Sequence, residues 1–519
     1  MVQSFTDDFR VVWQDPADAQ LHWSWDKMHT PRPLAPLGID VATRVNEYVF
    51  KARIVVLNGY PYTHGFAIPM PPAEVFQRGV LQVWENEYAP RIADFCLRTR
   101  SADYGSMTAV ELADSLGEII KQAGEAMNLT MIVAVAFGMP TNQLADFCEA
   151  ELGSDGQQLA ATVLQGFDNV SAGAGGELGE LATVAAGLPE VAAALREGIY
   201  DGLDALPGGP EFLARLREYL DEYGWRADSW GRIHIPTWAE TPRTPLMLIG
   251  RYLSDGKMSP EAAMKRSVLL REDASREVQS RLSPDKLKEF QKLLGACRNH
   301  VRISEGRAFW QLTIDGSLRV PFLALGSKLA DAGALDEPGD VVYLRLSETE
   351  EAARNPLPSW KDTAGARKEE LKRWEGLSPP LHVGSDAPPP RPPDFQRAFD
   401  RFWGGKPEDS AEASLIKGHA ASKGVITGRA RVIMSLAEAD RLQKGEILVC
   451  PSTAPPWTPL FAVAGGIVTD TGGILSHSAI CAREYGIPCV VGTQVATQRI
   501  PDGASITVDG SAGTVRIAG

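Results

Sequence analysis

Cysteine is scarce in this chain: six in 519 residues, no two of them spaced as C-x₂-C. That excludes a zinc ribbon, a dithiol redox motif and a disulfide-stapled scaffold, and leaves buried free thiols as the reading. Long apolar runs are missing as well. No stretch approaches the ~18 consecutive residues of a membrane span, and the N-terminus, MVQSFTDDFRVVWQ, has no basic start leading into an apolar segment. A cytoplasmic location and no membrane partner are expected. Basic residues are outnumbered, Lys+Arg 52 against Asp+Glu 66 for a net charge of −14, so there is no excess of cations to displace phosphate counterions and no nucleic-acid partner is expected. What is present, 44% hydrophobic and 23% charged residues, is ordinary for a globular protein. The length suggests two to four domains at roughly 150 residues each.

Composition is uneven along the chain. Residues 1–90 are rich in aromatics and proline (Trp13, Trp23, Trp25, then GYPYTHGFAIPMPP), which predicts strands and ordered loops. From there to 377 helical periodicity takes over, as in ELADSLGEIIKQAGEAM, PEVAAALREGIYDGL and SPDKLKEFQKLLGACRNHV. The glycine run AGAGGELGELA at 172–182 fails the G-x-G-x-x-G spacing and follows no strand, so it reads as a helix entry or break. Residues 378–410 begin SPPLHVGSDAPPPRPP, whose prolines favour an extended, semi-rigid tether that lets a domain travel. Residues 411–519 consist of short β-branched runs between glycines, one helix from about Ser476 to Tyr485, and nine basic against eight acidic residues. The fold class expected is multidomain: a mostly α domain at 1–377 with an irregular or β N-terminal part, a Pro-rich linker, and a compact C-terminal α/β domain.

The strongest local signal lies in that last domain. GGIVTD reads as a buried strand, Gly472 and Gly473 permit a tight turn and close approach, and Ser476 and His477 open a helix. Free N–H groups and the positive end of the helix dipole would favour a phosphoryl group on His477. An imidazole largely unprotonated near neutral pH is a competent nucleophile toward phosphorus. Geometry alone equally allows His477 to be a structural residue beside a capping serine. The pattern T-x-x-G-G-x-x-S-H-x-A-I-x-A-R, carried by Thr469, Gly472, Gly473, Ser476, His477, Ala479, Ile480, Ala482 and Arg483, resembles the phosphohistidine signature of the phosphoenolpyruvate-utilising, or dikinase, superfamily. IKGHAASKGVITGRARVI and GEILVCPSTAPPWTPLF upstream, and GIPCVVGT and TVDGSAGTV downstream, resemble the rest of its swivelling domain. The resemblance implies that His477 is phosphorylated, that Thr469 and Ser476 orient it with Gly472 and Gly473 in the turn, and that Arg483 neutralises phosphoryl charge. Where pyruvate phosphate dikinase has a regulatory threonine two residues before its histidine, this chain has Leu475.

LREYLDEYGWRADSWGRIHIPTWAETP and RISEGRAFW, followed by GDVVYLRLSE, resemble stretches of the substrate domain of rifampin phosphotransferase. An acceptor site needs cations for the phosphoryl group and a base for the hydroxyl. The candidates are His29, His64, Arg226, His234, Arg302, Glu305 and Arg307, with no metal-binding cluster. Neither an ATP-grasp motif nor a phosphoenolpyruvate-binding barrel is visible in the sequence, and only 42 residues follow His477. The expectation is therefore a phosphotransferase subunit of a two-component aryl dikinase. A separate ATP-grasp subunit uses ATP and Mg²⁺ to load His477, this chain holds no cofactor tightly, and the acceptor is a small phenol, as in relatives resembling phenylphosphate synthase. The alternatives are a split enzyme resembling the antibiotic-inactivating rifampin phosphotransferase, and a phosphocarrier.

Overall fold

The computed structural model describes residues 2–4, 9–65, 67, 69–167, 170–254, 260–385, 392–405 and 412–518. The longer helices, in chain order, are α1 Pro36–Phe50, α2 Ala89–Ser101, α3 Ala109–Leu152, α4 Val170–Ala186, α5 Gly209–Tyr223, α6 Arg243–Ser254, α7 Pro260–Arg281, α8 Pro284–Asp331 and α9 Ser359–Glu375. By contact the chain forms two units. One comprises Met1–Val135, Arg226–Pro236 and Trp310–Pro390; the other comprises Ala136–Trp225, Thr237–Phe309 and Arg391–Gly519.

The first unit carries the expected N-terminal strands. β1 Val2–Ser4 and β2 Arg10–Val12 pair with each other, and β3 His22–Trp25, β4 Arg53–Leu57, β5 Tyr60–His64 and β6 His382–Gly384 form an antiparallel sheet in the order β4-β5-β3-β6. Its aromatics are the reason it holds: Trp23, Trp25, Tyr60 and Tyr62 are buried with Phe9, Val11 and Val383 in one cluster. Two features depart from the sequence reading. Residues 36–50 are a helix, entered at Pro36 and closed by Lys51 in the left-handed region at φ 53°. Residues 382–384, read as tether, add a strand to this sheet. Helix α3 includes an 18-residue window of mean hydropathy 1.2, apolar enough to cross a membrane by composition, and 47% of that window is buried in the protein.

In the second unit β7 Leu415–Lys417, β8 His419–Ser422, β9 Val425–Val432, β10 Ile447–Cys450, β11 Gly466–Thr469, β12 Cys489–Val491, β13 Ser505–Asp509 and β14 Thr514–Ile517 form a mixed sheet in the order β7-β14-β13-β9-β10-β11-β12-β8. The four central strands β9 to β12 are parallel. Every residue of β10, β11 and β12 is buried, as continuous apolar runs in a parallel sheet require. The glycine run at 172–182 lies in the interior of α4 instead of opening or breaking a helix. Six free cysteines are all buried, two of them, Cys148 and Cys297, in the core formed by α3, α7 and α8.

The C-terminal half of the expected tether is also folded. Residues Pro393–Phe399 form α10, and Asp400–Gly404 continue it as a wider turn. Arg401 is 7% exposed and reaches Asp146 at 2.7 Å and Glu149 at 3.0 Å on α3. Residues 386–391 and 406–411 lie outside the described residues.

Candidate functional site

In an open parallel sheet, sites form at the carboxyl ends of the strands. Here β10 and β11 lead into two loops that bring Thr458 and His477 together. After β11, Asp470 is fully buried and accepts from Thr497 through its backbone N–H at 2.9 Å and its hydroxyl at 2.5 Å, which pins the strand end. The chain then turns at Gly472, φ +101°, where a Cβ would stand 2.7 Å from Ser476 Oγ. A Cβ on Gly473 would stand 2.2 Å from the carbonyl oxygen of Arg401. Glycine is required at both places by close approach.

That approach changes what the glycines do. The N–H groups of Gly472, Gly473 and Leu475 are not free for a phosphoryl group: they donate to the carbonyls of Trp403 (3.0 Å), Phe402 (2.9 Å) and Arg401 (3.0 Å). The folded end of the former tether is thus the scaffold of the signature loop. What is left for an anion is the first turn of α11, His477–Tyr485, with the positive end of its dipole. Ser476 caps this helix through Ala479 N–H, and Gly486, φ 66°, closes it.

The His477 ring is held on both sides. Nδ1 lies 3.2 Å from the Glu305 carboxylate of α8, with side-chain exposures of 12% and 7% for the pair. Nε2 lies 3.2 Å from Thr458 Oγ1. Cys481 Sγ, one turn on, is 3.5 Å from Nε2, and the Phe461 ring stands edge-on. Positions 477, 481 and 484 share one helix face. The helix as a whole packs on α7, whose Ser267 hydroxyl donates to the Glu484 carbonyl at 2.9 Å. Burial, reinforced by the charge of Glu305 and opposed by Arg483, pushes the Glu484 carboxyl up to about 8. Burial likewise raises the Cys481 thiol well above its ordinary range. Arg307, two residues from Glu305, is pushed down to about 10 by burial against the opposing charge of Glu305.

Arg483 does not reach this ring. Six residues along a helix of 3.6 per turn places it on another face. Its guanidinium donates to the Ala421 carbonyl at 3.0 Å, fastening α11 to β8, and burial lowers it to about 10. Thr469 is also turned away: its hydroxyl donates to the Thr471 carbonyl at 2.7 Å, and its own carbonyl accepts from Thr493. Thr458 was missed. Its signal in the sequence was the loop PSTAPPWTP after a buried strand, the counterpart of the loop that carries His477.

The seven acceptor candidates fall into separate groups. Glu305 and Arg307 belong to the second unit, and the side chain of Arg302 lies outside the described residues. His29, His64, Arg226 and His234 belong to the first unit. His64 is tied to the small sheet, Nδ1 to the His22 carbonyl at 2.9 Å, with its ring against Trp23. His29 stacks on Trp230 at 4.1 Å and pairs with Asp26 at 2.6 Å. Burial pushes the Asp26 carboxyl up, but the charge and hydrogen bonds of His29 outweigh it and hold it below its usual range. Arg226 is 4% exposed at the start of the segment that also carries Trp230, Arg232 and His234. Burial, then the charges of Arg232, Arg319 and Arg32, push His234 well below the usual imidazole range. Such a group is a neutral imidazole and a weak base. A cleft of about 410 Å³ in the second unit is lined by Arg196, Tyr200, Arg251, Tyr252, Asp440 and Lys444 among others, and His477 is not in its wall.

Residues 442–513 match the family model of the PEP-utilising enzyme mobile domain, and residues 128–305 match the rifampicin phosphotransferase fourth domain. The chain is 33% identical to a rifampicin phosphotransferase of Streptomyces sviceus over 61% of its length and 36% of that protein's. It is 32% identical to the uncharacterized phosphotransferase YvkC of Bacillus subtilis over 62% of the chain and 38% of the relative. A chondramide synthase of Chondromyces crocatus is 31% identical over 98% of the chain, which amounts to 14% of that protein. The chain thus spans well under half the length of these curated relatives. The C-terminal match is to the mobile domain of PEP-utilising enzymes, at 442–513, and the helical match is to the rifampicin phosphotransferase fourth domain, at 128–305; the two together fit the PEP-utilising enzyme superfamily.

Proposed function

We propose that this chain is a phosphotransferase of the rifampicin phosphotransferase kind, in which His477 accepts a phosphoryl group and passes it to a hydroxyl of a small organic acceptor. The observation that carries this reading is the His477 ring itself, set at the first turn of a helix at the carboxyl ends of β10 and β11 and held between Glu305 and Thr458. The matches to rifampicin phosphotransferases favour this acceptor class over the phenol of an aryl dikinase. The donor is MgATP on a separate nucleotide-binding unit, which gives one phosphoryl to His477, another to water as Pi, and leaves AMP. The Mg²⁺ goes with the ATP on that unit. The physical logic is separation: a carrier histidine lets ATP and the acceptor occupy different sites shielded from water, and two cleaved phosphoanhydrides make the transfer downhill.

The test is to combine the chain with its nucleotide-binding partner, ATP and Mg²⁺, and offer rifampicin, other hydroxylated antibiotics and a set of phenols. AMP and phosphorylated product are followed by ³¹P NMR. Product from rifampicin or a related molecule supports the reading. Product from phenols alone returns the aryl dikinase, and product formed by His477→Ala defeats both.

A further inference from the structure

We propose that Glu305 is a positioning residue for His477: it fixes the imidazole as the Nδ1-protonated tautomer and, through the same contact, makes the phosphorylated ring release its phosphoryl group. This rests on the phosphohistidine reading above and assigns Glu305 to the carrier histidine, not to the acceptor hydroxyl.

An ionised carboxylate only accepts hydrogen bonds, so with Glu305 3.2 Å from Nδ1 the proton sits on Nδ1. Nε2 then bears the lone pair and accepts from the Thr458 hydroxyl at 3.2 Å. On loading, the Nε2 lone pair forms the N–P bond and the donor's bond to phosphorus breaks, its pair leaving with the donor. Because Nδ1 keeps its proton, the phosphorylated ring is cationic. On transfer the acceptor oxygen bonds to phosphorus, the N–P pair returns to Nε2, neutral imidazole departs, and the acceptor's proton passes to solvent. A ring that had lost its Nδ1 proton would have to depart as imidazolate, a far poorer leaving group. A neighbouring anion favours the cationic form and extends it to higher pH. Glu305 is thereby a trigger for release, carried on α8 and not on the mobile domain's own helix.

Other titratable groups lie near the ring. On α11 these are Cys481, one turn on, and Glu484, whose carboxyl lies near Glu305; on α8, Arg307 lies beside Glu305. From α7, Arg266 meets the far end of α11 at Gly486. Thr458, from the loop after β10, does not titrate.

The experiment needs no partner. The full chain is loaded with potassium phosphoramidate, and the decay of the phosphohistidine ³¹P signal is followed from pH 5 to 9 in the parent, Glu305→Gln, Glu305→Asp and His477→Ala. We expect one signal absent from His477→Ala. In Glu305→Gln the midpoint of the decay profile moves down by about one pH unit and decay at pH 8 slows about tenfold, whereas Glu305→Asp, which keeps the charge, stays near the parent. A merely structural role for Glu305 would change loading or stability without moving that midpoint. Normal loading with superimposable profiles overturns the role of Glu305 and leaves the phosphotransferase reading intact. Failure of the parent to load at His477 overturns both.

Discussion

In the second unit His477 lies against a carboxylate, Glu305, and a hydroxyl, Thr458, so each ring nitrogen has a defined partner. In the first unit His234 lies among three guanidiniums, Arg32, Arg232 and Arg319, and neither of its buried ring nitrogens has a hydrogen-bond partner among the described residues. Both imidazoles are shielded, and both were candidates on sequence grounds. The difference shows that burial does not make a histidine useful; the sign of the charge beside it does. A carboxylate fixes one tautomer and leaves a directed lone pair, whereas cations suppress protonation and leave a neutral ring with no directed partner. The arginines around His234 are themselves restrained by acids: Arg232 pairs with Asp228 and lies near Glu375, and Arg32 reaches the same Glu375.

The sharpest way to break this comparison is to delete each ring. His477→Ala is expected to abolish loading from phosphoramidate and to lower phosphotransfer with partner and ATP by about 10³-fold or more. His234→Leu should load at His477 at the parent rate, within about twofold. Loss of loading in His234→Leu with its fold intact would remove the distinction between the two sites.

Next in size is the response to pH, where two buried groups of the first unit oppose each other. His234 has a folded pKa well below that of the free side chain, so as pH falls below about 6.5 the unfolded chain takes up the proton and stability is lost. Asp315, which accepts from Gly231 N–H at 3.0 Å, is raised by burial to about 7. Its contribution has the other sign: it is fully present below the unfolded value of about 4 and is lost as pH rises toward 7. Between about pH 4 and 6.5 the two slopes oppose, and the parent should show a shallow profile. His234→Leu should expose the Asp315 slope, with stability falling as pH rises. Asp315→Asn, which keeps an acceptor for Gly231, should expose the His234 slope and gain on the order of a few kcal/mol over the parent above pH 7. Urea midpoints measured from pH 4 to 8 decide it, and parallel profiles for all three proteins would refute these assignments.

A smaller effect is expected from the loop that presents His477. Gly472→Ala forces a side chain into φ +101° and against Ser476 Oγ, at a cost of about 1–3 kcal/mol. Because Gly472, Gly473 and Leu475 donate to the carbonyls of residues 401–403, their amide exchange should quicken in Gly472→Ala. It should quicken also in Arg401→Ala, which releases that segment from Asp146 and Glu149. No loop of the first unit should change. Unchanged exchange at the three amides would mean that residues 400–404 do not support the loop.

How far these regions were legible in the sequence follows from how local their causes are. The signature around His477 is contiguous, and strand, turn, cap and helix follow from neighbouring residues. The aromatic N-terminal strands were legible for the same reason, through Trp23, Trp25 and the GYPYTH run. The contact of Glu305 with His477 joins residues 172 apart, and no spacing rule reaches that far. Arg483 was misplaced for a different reason: a resemblance was carried over by residue type, although six helical positions already point it elsewhere. Prolines at 388–393 suggested a tether through 410, but FQRAFDRFWGG after them has an aromatic face, and Phe399 stacks on Trp403.

The smallest expected effect concerns Ser476, which immediately precedes His477. Its hydroxyl accepts from Ala479 N–H at 3.5 Å, a long contact, so Ser476→Ala should cost about 0.5–1 kcal/mol, the lower part of the range for an N-cap. The cap holds the first turn of α11 and not the ring itself, which is fixed by Glu305 and Thr458. Loading at His477 should therefore survive in Ser476→Ala with a small loss of helix stability, read as a lowered urea midpoint and faster exchange at Ala479 and Ile480. If Ser476→Ala instead abolishes loading while the helix stays protected, the serine touches the phosphoryl group directly, and the clamp on His477 has a third member that the contacts of the unloaded ring do not include.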